Sequence, residues 1–132
     1  MANKTYVGTT INSSATIRVP AGEAITDVQG IALALNNKGE AVLPTAGADV
    51  IGLALFTNDD PAKGDDLDLQ IKDIGKWVAG GEIKAGEHLA ANASGKCVKA
   101  TTGAFIFAVA LTAAAEAGAV VSVQIVKAGY EE

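Results

Sequence analysis

Histidine, cysteine and aromatic side chains are scarce in this chain, and each scarcity removes a class of function. One histidine, His88, and one cysteine, Cys97, do not supply the several His, Cys or carboxylate ligands of a zinc-type site. A catalytic triad would have to be built on His88, and nothing around Gly86-Glu87-His88-Leu89 marks out a nucleophile or an orienting acid. A single cysteine also excludes an internal disulfide, so nothing argues for an oxidising compartment. The aromatics are Tyr6, Phe56, Trp77, Phe105, Phe107 and Tyr130, and no lysine or arginine cluster interleaves with them. Nucleic-acid binding is therefore disfavoured. No apolar run approaches the ~20 residues of a membrane-spanning helix. The start, MANKTYVGTTINSS, lacks the apolar segment of a secretory signal. Glycine-rich phosphate loops are missing too, so no cofactor, metal, nucleic acid or membrane is expected, and synthesis is placed in the cytoplasm.

What the chain does have is an internal repeat. Residues Leu33 to Thr57 align without a gap over Leu89 to Ala113, and ten of the 25 pairs are identical. Asn36/Asn92, Gly39/Gly95, Val42/Val98, Gly47/Gly103 and Leu55/Leu111 are among them. The match resumes with Gly64 to Ile71 over Gly118 to Ile125. Upstream, Ala21-Gly22-Glu23 is placed over Ala85-Gly86-Glu87, which leaves eight extra residues in the first copy. Two copies of this size predict one pseudo-symmetric core rather than a solenoid, which needs at least three repeats. The expected layout is an N-terminal arm (1–20), copies at 21–72 and 85–127 joined by a linker (73–84), and a tail (128–132).

Periodicity within the copies sets the fold class. Leu67-Asp68-Leu69-Gln70-Ile71 and Val121-Ser122-Val123-Gln124-Ile125 alternate apolar and polar residues in the same phase, which marks strands with one face in a core. In Ile51-Gly52-Leu53-Ala54-Leu55 and Phe107-Ala108-Val109-Ala110-Leu111, bulky residues share one face and only Gly or Ala the other. Such a strand predicts a close-packed layer on its flat side, a second sheet or a neighbouring subunit. Gly52, Ala54, Ala108 and Ala110 are thus candidate subunit-contact residues, and Trp77 is either a core plug or an interface anchor. Residues 112–118 read as a loop despite their alanines, because the matching stretch carries Pro61, Gly64 and two acids. The predicted fold is all-β: a single small barrel or sandwich made of two duplicated half-domains, with an extended N-terminal arm.

Charge is concentrated. Of the net −5, residues 57–73 hold −4, from six aspartates against Lys63 and Lys72. Asp59, Asp60, Asp65 and Asp66 are hard oxygen ligands but lack the spacing of a calcium loop, so a solvated hairpin tip is expected over 59–68. Cys97 aligns with Ala41 and reads as a small core residue. His88 aligns with Ala24 and reads as a rim residue. The arm is rich in Ser, Thr and Asn, with Tyr6, Val7 and Ile11 as its few apolar anchors for a partner.

The pattern "ALALNNKGEAVLPTAGADVIGLAL…GDDLDLQI…GKWVAGGEIKAGEHLAANASGKCVKATTGA…GAVVSVQIV" resembles small capsid decoration proteins of tailed bacteriophages and the capsid-binding domains of phage head fibres. The signature elements are the Ala-Gly-Glu turn, the Asn-x-x-Gly hairpin, the Gly-Leu-Ala-Leu strand and the final Val-x-Val-x-Ile strand, spread over residues 21–127. The resemblance implies a homotrimer on the outer surface of the virion, bound to the major capsid protein lattice through an N-terminal segment, without enzymatic activity. No fibrous extension follows residue 127, so cementing rather than a projecting shaft is expected. The other readings are a small-ligand or carbohydrate-binding β-module, which would need polar and aromatic groups converging in one pocket, and a tail or fibre structural component.

Overall fold

The structure, a computed structural model, describes residues 14–55 and 59–132. These residues hold β1 (Thr16–Pro20), β2 (Ala32–Leu35), β3 (Ala41–Val42), β4 (Gly52–Ala54) and β5 (Asp66–Gln70) in the first half. The second half holds β6 (Ile74–Val78), β7 (His88–Ala91), β8 (Cys97–Lys99), β9 (Ala108–Ala110) and β10 (Val120–Ile125). No helix occurs among the described residues. The strands form two five-stranded antiparallel sheets, ordered β1-β5-β4-β2-β3 and β6-β10-β9-β7-β8. Each sheet repeats the other with every strand five places on, so the duplicated unit is a complete sheet.

That unit is longer at its start than the sequence alignment made it. Val19 faces Leu67 across β1 and β5, and Trp77 faces Val121 across β6 and β10. Because Leu67 and Val121 are matched residues, Val19 and Trp77 are matched as well. The bonds at the strand ends agree. Ala21 N–H donates to Asp65 O and Gly22 N–H to Ala41 O, as Ala79 N–H donates to Ala119 O and Gly80 N–H to Cys97 O. The counterpart of Ala21-Gly22 is therefore Ala79-Gly80, not Ala85-Gly86. The first copy is longer by two residues before the repeat, with 14 positions from Val19 to Leu33 against 12 from Trp77 to Leu89. Thr16–Pro20, read with the arm, is the outer strand of the first sheet, and the stretch read as a linker contains β6. By the same register His88 matches Ala32 rather than Ala24, since each pairs with β9 or β4 at the same place.

Gly22 and Gly80 share one reason for being glycine. A Cβ on Gly22 would lie 3.0 Å from Asn36 Nδ2 and from Val42 Cγ1. On Gly80 it would lie 2.5 Å from Asn92 Nδ2 and 3.2 Å from Val98 Cγ1. Each asparagine organises the hairpin beneath. Asn36 Oδ1 accepts from Lys38 and Glu40 N–H at 2.9 and 3.0 Å, and Asn92 Oδ1 from Ser94 and Lys96 N–H at 2.9 and 3.0 Å. An asparagine followed three residues later by a left-handed glycine closes the turn with little strain, and Gly39 and Gly95 both sit at φ 76°.

Two large apolar clusters hold the halves. One contains Val19, Val28, Leu33, Leu67 and Leu69 of the first half. The other contains Trp77, Leu89, Phe107, Val121 and Val123, and it recruits Ala32, Val50 and Leu53 from the first half. Trp77 joins them. Its Nε1–H donates to Gly95 O at 2.8 Å, and that same carbonyl accepts from Ala32 N–H at 2.7 Å. Its ring meets Phe107 edge-on at 5.3 Å. The second hairpin thus leans on β2 of the first sheet.

Candidate functional site

Tyr6, Val7 and Ile11 lie outside the described residues. The five residues expected at a subunit contact are described, and all lie inside the packing of the chain itself. Trp77 and Ala108 are fully buried, Ala54 and Ala110 nearly so, and Gly52 is buried. A Cβ on Gly52 would meet Gln70 O at 2.7 Å and Leu69 Cβ at 3.1 Å. These positions are enclosed within the chain: Ala54 in the first-half cluster, Trp77, Ala108 and Ala110 in the second. For Trp77 the core position is the one observed, and its indole N–H has its partner within the chain.

The titratable groups picked out in the sequence are similarly occupied. Burial pushes the Cys97 thiol up to about 12, opposed weakly by backbone hydrogen bonds at Cys97 and Gly80, so the thiolate nucleophile is suppressed. His88 is half exposed and its Nδ1 stands 3.4 Å from Glu131 Oε2, where it ties the C-terminal segment down. Residues 128–131 run antiparallel to 104–106. Ala128 N–H donates to Ile106 O, Ile106 N–H to Gly129 O, and Glu131 N–H to Ala104 O. In the acidic loop, Asp60 Oδ1 accepts from Asp27 N–H at 2.8 Å, Asp65 Oδ2 from Ala62 N–H at 2.9 Å, and Asp59 from the Gln29 side chain. Asp59 and Asp60 bond the loop to the 25–29 segment, and Asp65 closes a turn within the loop. No group of three or more metal-ligating side chains occurs among the described residues.

Concave places are shallow in chemistry. A groove of about 300 Å³ runs between Ala46-Gly47 and Ala90–Asn92, walled by Thr101, Thr102 and Ala104. A second, of about 510 Å³, lies where the halves meet, between Gln29, Ala54 and Leu55 on one side and Lys76, Val78 and Val120 on the other. Neither is lined by an aromatic ring, a carboxylate or a histidine. That composition disfavours a carbohydrate or small-ligand site.

The surface itself distinguishes the two halves. On the outer face of β6 and β10, the opposed pairs are Ile74/Gln124, Lys76/Ser122 and Val78/Val120. Ile74 is 63% exposed and Val120 56%, large values for such side chains. The same places on β1 and β5 hold Thr16/Gln70, Arg18/Asp68 and Pro20/Asp66, with Arg18 Nε 3.2 Å from Asp68 Oδ1. One sheet wears a polar outer face, and the other a mixed one in which Ile74, Val78 and Val120 flank Lys76, Ser122 and Gln124. The sequence reading missed this contrast. Half of its signal, Val120 against Asp66, stands in the aligned repeat, and the other half, Ile74 against Thr16, is visible only once β1 and β6 are matched.

The described residues thus form a duplicated all-β scaffold whose small-residue strand faces and cysteine are enclosed. The family model for phage cement proteins matches residues 8–125, and the chain belongs to that family. Among solved structures, the chain is similar to the N base of the head fibre gp8.5 of bacteriophage phi29. The TM-score is 0.65 at 19% identity, over 89% of this chain and 98% of that one. At this identity the likeness establishes a shared fold. Comparison with the curated proteins gives no match.

Proposed function

We propose that this protein cements the phage head: it binds the assembled lattice of major capsid protein from outside and bridges neighbouring coat subunits, with no catalytic role. Membership of the phage cement family over residues 8–125 carries the reading. The geometry supports it, because the two grooves described above lack aromatic, carboxylate and histidine linings among the described residues. The proposed assembly is a homotrimer, whose several attachment points raise avidity without requiring a tight single contact. Tyr6, Val7 and Ile11 are the proposed anchors of the arm, adding a strand to an exposed sheet edge of a coat subunit.

Binding to the lattice but not to loose subunits stabilises the lattice by mass action. Purified protein added to heads lacking decoration should raise the temperature at which they release DNA, saturating with occupancy. Heads that bind the protein yet release DNA at an unchanged temperature would contradict a cementing role. For the arm, deletion of residues 2–14 should leave thermal melting of the body unchanged and remove most head binding. Normal occupancy by the truncated protein would exclude the arm as anchor. Light scattering at high concentration should give about three chain masses, and a monomer even on heads would overturn the trimer.

A further inference from the structure

We propose that copies of this chain join head to tail by repeating the contact that already joins its two halves: the turn at 101–104 of one copy enters the gap between Leu35 and Asp49 of the next. This is the contact of the homotrimer proposed above, and it rests on that reading. Within the chain, the turn Thr45-Ala46-Gly47-Ala48 of the first half enters the second half. Gly47 N–H donates to Ala91 O at 2.8 Å, and Phe105 N–H donates to Gly47 O at 3.0 Å. The repeat carries the turn again as Thr101-Thr102-Gly103-Ala104, with three of the four residues identical. Both turns close with the same bond, Ala48 N–H to Thr45 O at 3.1 Å and Ala104 N–H to Thr101 O at 2.9 Å. Their glycines sit at φ 74° and 86°.

Turn and gap are both duplicated, but only one turn and one gap meet inside the chain. Ala91, Phe105 and Phe107, around the filled gap, are at most 9% exposed. Their matches are Leu35, Asp49 and Ile51. Leu35 is 44% exposed, Asp49 is exposed, and the three line an open hollow of about 130 Å³. Ile51 N–H donates to Leu33 O as Phe107 N–H does to Leu89 O, so the two gaps begin alike. Beyond that bond, Asp49 N–H, the match of Phe105 N–H, donates to no described residue. The second turn is equally open, with Thr101, Thr102 and Gly103 exposed. Glycines around the contact divide the same way. A Cβ on Gly30, Gly47 or Gly95 would come within 3.3 Å of the other half, whereas on their matches Gly86, Gly103 and Gly39 it meets nothing within 4 Å.

The occupant follows from the asymmetry of the internal contact. One half offers a turn and the other a gap, so each chain keeps one unused turn and one unused gap, and a second copy supplies the match for both. Contacts of this kind close into rings or run on as filaments, whereas two-fold pairing uses a single face twice. A three-fold ring therefore needs such a contact. Docking also covers Leu35, an apolar side chain that the single chain leaves in water. The repeated contact is weaker than the internal one. Gly103 N–H is held by Glu131 O at 2.8 Å, which leaves Gly103 O to accept from Asp49 N–H of the next copy. Pro20 and Val19 stand where Val78 N–H and the Trp77 indole donate to Gly30 O and Gly95 O. Association should accordingly depend on concentration.

Cross-linking between two different variants tests the contact. Leu35→Cys and Thr102→Cys, each at an exposed position, are made separately in protein that also carries Cys97→Ala, and both should melt close to that background. Mixed and treated with a short bismaleimide, the two proteins should form a covalent dimer, in solution at high concentration and on undecorated heads. Either protein alone should not. A mixture that stays unlinked while wild type scatters as an oligomer overturns the contact and leaves the trimer standing, as does a covalent dimer formed by one variant alone. Wild type that is monomeric both in solution and on heads overturns the trimer reading and the contact together. Thr102→Glu reads the same contact without a thiol. Its carboxylate comes against Asp49 of the next copy, and association should need at least about tenfold more protein. An unchanged concentration dependence overturns the proposal.

Discussion

Trp77 occupies the place that Val19 holds in the first sheet, and the exchange of a small for a large side chain is what makes the second cluster span both halves. Removing the indole leaves a void and strips Gly95 O of one donor. Trp77→Ala should therefore lower stability by about 3–5 kcal/mol in urea melts, well above the loss from Val19→Ala. A difference near zero would mean that the tryptophan does not join the halves. Cys97 gives a pH test. Below pH 9 the thiol is protonated folded and unfolded, and it contributes no pH dependence. Above that, the unfolded chain releases a proton that the folded chain keeps until about pH 12, so stability falls as pH rises between these values. Cys97→Ala, which installs the residue found at Ala41, should flatten the melting temperature across pH 9–11. It should also leave head binding intact.

At the scale of elements, the two Asn-x-x-Gly hairpins share their asparagine and glycine and differ in what they touch. A Cβ on Gly39 meets nothing within 4 Å, whereas on Gly95 it would lie 2.6 Å from Ala32 O and 3.1 Å from Ile31 Cβ. Both glycines have φ 76°, so both alanine variants carry the same backbone penalty of roughly 1 kcal/mol. Gly95→Ala should lose clearly more in denaturant melts, because β2 must move off the second hairpin. Equal losses would show that the hairpin does not bear on the first sheet. Strand character was legible from alternation in 67–71 and 121–125, and the loop at 112–118 from its proline-bearing partner. The start of the repeat was not. β1 and β6 share no strong identities, Ile17 facing Leu69 where Gly75 faces Val123, so only hydrogen-bond register reveals them as one element. The resulting shift from Ala85-Gly86 to Ala79-Gly80 also gives Gly80 its reason, the close approach of Asn92.

On the scale of the whole molecule, the family and the all-β class could be read from the repeat and its signature turns, but the outward surface could not. Small residues on one strand face announce close packing without saying whose layer packs there, and Gly52, Ala54, Ala108 and Ala110 turned out to be covered by their own chain. Ile74 and Val120 carry no motif, and their exposure depends on which way β6 and β10 face. The central claim is that the chain recognises an assembled head. The most direct measurement is its co-sedimentation with undecorated heads beside its binding to the same coat protein disassembled into subunits. The account predicts saturable binding to heads, at a fixed ratio of this chain to coat subunits, and far weaker binding to the loose subunits. Equal affinity for both, or no saturation on heads, would contradict it.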